Sequence, residues 1–114
     1  MTPPESQIPI EPSPADFSVG QVVQHRLFGY RGVIVDVDAT FSGNDEWYDT
    51  MAKSQPPKDA PWYHVLVHLR GYEAYVAERN LEPDTTGEPI AHEDVDHFFE
   101  TFEDGAYVQR RPLN

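Results

Sequence analysis

The stretch Trp62-Tyr63-His64-Val65-Leu66-Val67-His68-Leu69 decides the fold. It contains no proline or glycine and is rich in β-branched and aromatic side chains, which predicts a strand over Trp62–Leu69. Because successive side chains of a strand point to opposite faces, one set should face the core and the other should face outward. The predicted core set is Tyr63, Val65, Val67 and Leu69, and the outward set is Trp62, His64, Leu66 and His68.

Two valine-rich runs before this stretch predict a hairpin. Val19–Arg26 and Arg31–Asp38 are the predicted strands, and Gly29 lies in the connection between them. Glycine adopts positive φ angles without steric cost, so Gly29 and Gly32 suit a tight connection. In the second strand, one predicted face carries Val33, Val35 and Val37.

The segments on either side complete a small β domain. Residues 39–61 are too long for an ordinary hairpin loop, and within them Asn44 is a favourable cap for a predicted helix over Asp45–Lys53. After the strand Trp62–Leu69, Gly71 leads into a predicted strand Tyr72–Ala77 and a helical turn Glu78–Leu81. Several short strands with one long loop predict a mainly all-β fold, a small, partly open SH3-like barrel.

Composition divides the chain into three segments. Residues 1–15 contain five prolines and no hydrophobic period, which predicts a disordered arm. Residues 16–90 hold the predicted barrel, and residues 91–114 are an acidic helix and tail. The helix is predicted over Glu93–Phe102, because apolar residues recur there at i, i+3, i+4 and i+7. This apolar stripe is Val95, Phe98, Phe99 and Phe102.

The charge balance restricts the partners. The chain has 20 Asp and Glu against 8 Lys and Arg, a formal charge of -12, and residues 82–114 contribute -7 of it through nine acids and two bases. Sequence-independent binding to nucleic acid depends on cationic side chains, so any contact with DNA must be local and specific. The absence of cysteine excludes disulfides, thiolate metal sites and a Cys nucleophile.

The sequence contains no targeting or membrane signal. Residues 1–10 lack the basic and apolar regions of a secretory signal, and no stretch approaches 18 consecutive apolar residues. We therefore expect a cytoplasmic protein that does not bind membranes.

No motif predicts catalysis. On a strand, His64 and His68 would lie roughly 13 Å apart, too far to share one zinc ion. Asp36 and Asp38 share a strand face, and a solvated strand end explains them adequately. There is no phosphate-cradling glycine loop with a lysine and no recognisable nucleophile motif. We expect a protein that is not an enzyme and needs neither a cofactor nor a metal.

One short loop has the composition of a nucleic-acid contact. His25, Arg26, Tyr30 and Arg31 combine two guanidinium groups and a histidine with an aromatic side chain, and Phe28 lies among them. Arginines of this kind can hold phosphates while an aromatic ring stacks on a base. The alternative is structural: the aromatic rings pack on the barrel while the arginines pair with nearby acids.

Large apolar side chains outside a small barrel predict a protein interface. Trp62 and Leu66 lie on the predicted outward face of the strand Trp62–Leu69, and the stripe Phe98, Phe99 and Phe102 offers a second apolar surface. The alternative is that the stripe covers Trp62 and Leu66 within one subunit. Both readings imply burial, and the sequence does not choose between them.

Three ordered motifs resemble one family. They are Phe17 to Asp38 (FSVGQVVQHRLFGYRGVIVDVD), Pro61 to Val67 (PWYHVLV), and Tyr75 to Glu78 (YVAE) with Asn80 and Leu81. Together they resemble the bacterial heat-shock protein HspQ family, also called the YccV-like hemimethylated-DNA-binding domain. The resemblance runs from about Phe17 to Pro89 and leaves out the proline-rich arm.

The resemblance implies a partly open SH3-like barrel, often assembled as a homotrimer, in a small cytoplasmic accessory protein without catalytic residues. Two roles are implied. The first is a stress protein that modulates the ATP-dependent protease Lon, or delivers substrates to it, and affects the replication initiator DnaA. The second is binding of hemimethylated DNA at the replication origin. The acidity of the chain favours the first role, with docking through the acidic helix or the tail Asp104–Asn114.

Overall fold

The computed structural model describes residues 15–111, so all of the predicted arm except Ala15 lies outside the described residues. The described chain forms seven strands and two short helices. In chain order these are β1 (Val22–His25), β2 (Arg31–Asp38), α1 (Asp45–Met51), β3 (Trp62–Val67), β4 (Glu73–Ala77), a 3₁₀ turn (Glu78–Asn80), β5 (Leu81–Pro83), α2 (Val95–Phe98), β6 (Phe99–Glu103) and β7 (Ala106–Gln109).

The five strands β1–β5 form one antiparallel sheet in the order β4-β3-β2-β1-β5. The sheet does not close on itself, because its two edge strands, β4 and β5, do not pair with each other. In the chain, the 3₁₀ turn joins β4 to β5. A separate hairpin pairs β6 with β7. The predicted fold class, a mainly β and partly open barrel with short helices, is confirmed.

One face of the sheet forms the interior of the barrel. Tyr63 and Val65 of β3 lie there, as predicted, together with Phe17, Val23, Ile34, Val76 and Leu81. The hydroxyl of Tyr63 donates to Glu78 Oε1 at 2.6 Å and accepts from the backbone N–H of Phe17 at 3.2 Å. Burial, reinforced by the bond to Glu78, raises the pKa of Tyr63, so the hydroxyl stays protonated and can act as a donor.

The second face of β3 is also buried, which corrects the prediction that Trp62 and Leu66 face outward. Each of these side chains is only 1 % exposed. Leu66 packs in a cluster with Val22, Val33, Ile90, Phe99 and Tyr107, and Trp62 packs with Tyr48 and Ala77. The hairpin β6–β7 therefore covers one end of this face, and α1 with its flanking loop covers the other.

Two predicted strand patterns are corrected by local backbone geometry. Leu69 is not a core residue: β3 ends at Val67, and Leu69 has a φ of 65° and an exposed side chain. In β2, the register against β3 shifts between Ile34 and Asp36. A bulge of this kind changes which face the following side chains occupy. Val37 therefore packs on the barrel interior, whereas Val33 belongs to the opposite face.

The helix in the long loop starts where the sequence predicts. Asn44 is the N-cap, and its Oδ1 accepts the backbone N–H of Trp47 at 2.7 Å. The helix ends at Met51, two residues before the predicted Lys53. Tyr48 is its buried residue, and the hydroxyl of Tyr48 donates to the carbonyl of Pro56 at 2.6 Å. This bond ties the helix to the proline pair that follows it.

The predicted helix Glu93–Phe102 is wrong beyond Phe98. Only Val95–Phe98 is helical, and the chain then turns into β6. Asp104 and Gly105 both have positive φ, the conformation that favours a two-residue hairpin turn. A register shift between Phe99 and Thr101 places Phe99 and Phe102 against the same cluster. The first part of the predicted tail Asp104–Asn114 is therefore a turn and a strand, although most of its residues are exposed, and Pro112–Asn114 lie outside the described residues.

We predict that Gly20→Ala destabilises the protein by about 2–4 kcal/mol, because two penalties combine there. Gly20 has a φ of 94°, and an added Cβ would collide with the carbonyl oxygen of Tyr107. The backbone N–H of Tyr107 in turn donates to the carbonyl of Gly20 at 2.8 Å. Gly71→Ala is the matched control, since Gly71 has a φ of 73° and open space around it. That control should lose only about 1–2 kcal/mol. Urea denaturation measures both, and equal losses would contradict the collision at Gly20.

Candidate interaction groove

The loop between β1 and β2 is organised by His25. Its ring is buried, and Nδ1 accepts the backbone N–H groups of Leu27 and Phe28, each at 3.1 Å. The imidazole stacks on the ring of Phe28 with centroids 4.6 Å apart. Burial lowers the pKa of His25, so the ring is neutral at pH 7 and can accept both bonds. His25 is therefore a structural centre of the loop and presents no positive charge to a ligand.

Arg31 is held by an internal ion pair. Its guanidinium bonds to both carboxylate oxygens of Asp84, at 2.9 and 3.1 Å, and to the carbonyl of Glu88 at 2.6 Å. The side chain of Asp84 is 1 % exposed. Burial alone would raise the pKa of this carboxyl, but hydrogen bonds from Arg31 and Thr86 outweigh it and hold the pKa of Asp84 below its usual range. Arg31 thus stabilises the barrel where β5 ends.

The other two residues predicted to contact DNA lie at the surface of the same loop. Arg26 is half-exposed; its Nε donates to the carbonyl of Leu81 at 3.0 Å, and its Nη1 lies 3.7 Å from Glu82 Oε2. Tyr30 is half-buried, and burial, together with the neighbouring Tyr72, raises the pKa of Tyr30 to about 12. The structure thus brings His25, Arg26, Tyr30 and Arg31 to one loop, but only Arg26 leaves its charge accessible there.

An apolar groove runs between this loop, α1 and the edge strand β4. Its volume is about 710 Å³, within the range of small-molecule and cofactor sites. We call it the edge groove and define it by six aromatic or apolar residues on its walls: Phe28, Tyr30, Trp47, Met51, Tyr72 and Tyr75. Phe28 is 77 % exposed and Met51 64 % exposed. Contiguous exposed apolar groups of this size mark interaction sites.

The floor of the edge groove is a packed aromatic cluster. Tyr75 and Trp62 lie in an aromatic cluster with Phe41 and Trp47, and neighbouring ring centroids are 4.9 to 6.1 Å apart. The indole Nε1 of Trp62 donates to the carbonyl of Pro57 at 3.0 Å. Trp62 therefore supports the groove from beneath, and its own side chain is 1 % exposed.

A hydrogen-bonded network next to Tyr75 crosses three strands. Asp38 Oδ2 accepts the hydroxyl of Tyr75 at 2.7 Å and lies 3.1 Å from His64 Nε2. Burial would raise the pKa of Asp38, but the bonds from Tyr75 and His64 outweigh it and lower that pKa. Burial and the bond to Asp38 raise the pKa of Tyr75 to about 12. The network thus fixes the edge strand β4 to β2 and β3.

Asp36, Asp38 and His64 are the described residues whose spacing could hold a metal ion, with ligand atoms within 4.8 Å of one another. The sequence linked the two aspartates but did not place His64 beside them. The hydrogen bonds to Asp38 already satisfy this carboxylate, so the cluster is explained by the strand network. His68 is engaged elsewhere, with Nδ1 accepting the N–H of Ala91 at 2.8 Å.

The predicted interface residues divide into three groups. Trp62 and Leu66 are buried within the chain, and Phe99 is 2 % exposed. Phe99 packs in the cluster of Leu66, so the stripe does cover Leu66 within one subunit, whereas α1 covers Trp62. Phe102 packs at the border of the same cluster, and Phe98 is the more exposed of the stripe residues. The structure thus supplies a different apolar surface, the edge groove.

The pattern of the sequence did not predict the edge groove. Its exposed walls, Phe28 and Met51, belong to a loop and a helix 23 residues apart in the chain, and neither residue has a periodic signal pointing outward. The available signal was the stacking of Trp47 and Met51 at i and i+4 on a short helix.

Neither helix within residues 15–111 has the length and apolarity needed to cross a bilayer.

The fold and the groove define a small open β-barrel with an apolar groove along its unpaired edge. Comparison with known families then places it: the sequence model described as "Hemimethylated DNA-binding protein YccV like" matches residues 15–106. The chain belongs to this YccV-like family. The match extends past Pro89, where the motifs of the sequence resemblance end, and includes α2 and β6.

We predict that His25 makes stability depend on pH. The unfolded chain protonates a histidine near pH 6.5, whereas the folded chain protonates His25 only at lower pH. The contribution of His25 is therefore complete above about pH 6.5 and falls as the pH drops toward the folded pKa. His25→Asn keeps an acceptor for Leu27 and Phe28 but does not titrate, so its unfolding free energy should fall less between pH 7.5 and 5.5.

Chemical denaturation at the two pH values measures this difference. His97→Asn, at an exposed histidine, controls for the loss of a histidine as such and should behave like the wild type. An equal pH dependence in the wild type and His25→Asn would overturn the assignment of His25 as a neutral acceptor.

Proposed function

We propose that this protein is an accessory protein of the HspQ type, without catalytic activity, that binds an extended apolar segment of a protein partner in the edge groove. Through this contact it would modulate an ATP-dependent protease of the Lon kind, or deliver substrates to it, and so affect the stability of DnaA. The observation that carries the proposal is the exposed aromatic groove along the unpaired edge of β4.

The shape and chemistry of the groove favour a protein segment as the ligand. β4 is an edge strand, and such strands leave backbone N–H and C=O groups on one side for an added strand. The groove walls offer aromatic and thioether surface for side chains of the segment, and methionine adapts to varied partners. Unfolded or partly folded substrates of a protease expose segments of this kind.

The charge of the groove is nearly balanced. Among its lining side chains, Lys53 and Glu73 carry opposite charges, whereas most of the net charge of -12 lies elsewhere. Binding there should therefore depend on apolar burial and only weakly on salt. This property separates the proposed contact from binding to a phosphate backbone.

We expect Phe28→Ser to weaken the effect on the protease by roughly 5- to 30-fold in the concentration needed, as for loss of a central aromatic anchor. The assay follows degradation of a model substrate by a purified Lon-type protease with increasing amounts of this protein. Leu69→Ser is the matched control, because Leu69 is equally apolar and exposed but does not line the groove. Absence of any effect of the wild type on degradation, together with no co-elution, would remove the proposal.

A second function, binding of hemimethylated DNA at the replication origin, is favoured by the description of the family. Arg26 is the residue of the β1–β2 loop with an accessible charge, and Phe28 is exposed beside it for stacking. Arg31 is a poor probe of this function. Its removal would leave the buried carboxylate of Asp84 without its partner and would destabilise the fold.

For this second function we expect Arg26→Ala to weaken binding to a hemimethylated duplex and to reduce the slope of log K against log salt by roughly 0.9. Arg111→Ala, at an exposed arginine on the opposite end of the described chain, should leave the slope unchanged. Fluorescence anisotropy with hemimethylated and unmethylated duplexes of one sequence measures both. Equal and negligible binding of the two duplexes at low salt would end this proposal.

The assembly and location follow the family resemblance. We propose a homotrimer in the cytoplasm, and light scattering coupled to size exclusion measures the mass directly. A monomer at micromolar concentration would contradict the trimer and would leave the edge groove, which one chain forms alone, as the interaction surface.

A further inference from the structure

Met51 places a reactive sulfur atom on the wall of the edge groove. The chain has two methionines and no cysteine, and Met51 is the methionine that lies within residues 15–111. Its side chain is 64 % exposed and lines the groove. An accessible thioether reacts with hydrogen peroxide and related hydroperoxides. An oxidant and a groove ligand can therefore both reach the same sulfur atom.

The helix that carries Met51 fixes it at the groove. The Asn44 cap holds α1 at its start, and the buried side chain of Tyr48 holds its middle. Met51 lies one turn after Trp47, on the same face of the helix. The ring of Trp47 packs against Tyr75 of β4, with ring centroids 5.7 Å apart. A chemical change at the sulfur of Met51 therefore changes the wall of the groove.

Oxidation would make this part of the wall polar. Hydrogen peroxide transfers an oxygen atom to the thioether: its O–O bond breaks, a sulfur–oxygen bond forms, the sulfur is oxidised, and the peroxide is reduced to water. The product, methionine sulfoxide, is polar and carries an oxygen that accepts hydrogen bonds. An apolar ligand that covers this oxygen must remove its water without supplying a donor, which costs free energy.

We propose that Met51 is a site of reversible oxidation by hydroperoxides, and that its sulfoxide lowers the affinity of the edge groove for apolar ligands. This role rests on the proposed function in one respect, namely that the ligand is the partner segment, and it adds a redox regulation of that site. Methionine sulfoxide reductases reverse the change: two thiols become a disulfide, and the oxygen atom leaves as water. Oxidation would thus release the partner, and reduction would restore binding.

Peroxide treatment of the full-length protein tests the reactivity of Met51. Mass spectrometry after tryptic digestion follows the gain of an oxygen atom on the fragment Gly32–Lys53, which contains Met51 but not Met1. Fragment ions distinguish oxidation of Met51 from oxidation of Trp47 in the same fragment. The rate should lie within about 5-fold of the rate for N-acetylmethionine amide, because the sulfur is exposed. A slower rate would show that packing protects the sulfur and would overturn the proposal.

Binding of the neutral, apolar dye Nile red measures the groove itself. Oxidation should raise the dissociation constant of the wild type by at least about 5-fold, as expected for loss of an apolar anchor. Methionine sulfoxide reductases with dithiothreitol should restore the original value. Met51→Leu keeps an apolar side chain that peroxide does not oxidise, and it is compared only with itself before and after treatment. An unchanged affinity of the wild type, or an equal loss in Met51→Leu, would overturn the proposal.

Met51→Gln imitates the sulfoxide without an oxidant. Glutamine has a side chain of similar length to methionine and brings a polar amide to the same part of the wall. The untreated variant should therefore bind the dye at least about 3-fold less tightly than the wild type. Leu69→Gln is the matched control, because Leu69 is exposed but does not line the groove. Equal affinities of the two glutamine variants would contradict a role of Met51 in the groove.

The protease assay separates this role of Met51 from the proposed function. The oxidised wild type, freed of peroxide, should need at least several-fold higher concentrations than the reduced protein for the same effect on degradation. If both forms act at the same concentration, the role of Met51 is overturned and the proposed function stands. If oxidation of Met51 weakens dye binding but neither form affects degradation, the role of Met51 stands and the proposed function is removed.

Discussion

The structure depends on one constraint: the strand β3, which lies next to the edge strand β4, is buried on both faces. Its interior face carries Tyr63 and Val65, and its other face carries Trp62 and Leu66, each at most 1 % exposed. A five-stranded sheet that does not close can cover only the first face by itself. The second face needs additional chain, and the long loop with α1 and the hairpin β6–β7 provide it. These two additions therefore belong to the core of the domain, although each is short.

The same constraint creates the edge groove. Because α1 covers β3 at Trp62, the helix lies alongside the edge strand β4, and Trp47 contacts Tyr75 with ring centroids 5.7 Å apart. The loop between β1 and β2 approaches from the other side but does not pair with β4. The open side of the barrel is thus lined with aromatic rings that the core holds in place. Side chains that are already packed in this way lose little conformational freedom when a ligand binds.

The sequence predicted the fold class and several elements because their signals are local. Asn44 caps α1 through a bond to the residue three positions ahead, and this pattern is visible in any linear reading. The hairpin β6–β7 was missed although Asp104-Gly105 is a strong turn signal, because a bulge gives Phe99 and Phe102 a helical spacing. The partners of Arg31 were not predictable, since Asp84 lies 53 residues away and nothing local marks its burial. The loop was recognised, but the role of its charges depends on tertiary structure.

The acidic residues of the segment 82–114 have different consequences inside the barrel and at its surface. Residues 82–114 carry nine acids and two bases, and they include Asp84, whose charge is neutralised inside the barrel by Arg31. The acids of β6 are exposed and surround a hairpin whose inner side is apolar. They repel anionic partners over the range of a Debye length, roughly 8 Å at physiological salt, but they do not line the edge groove. The groove therefore lies apart from the acids of β6, and a protein segment can enter it without contacting them.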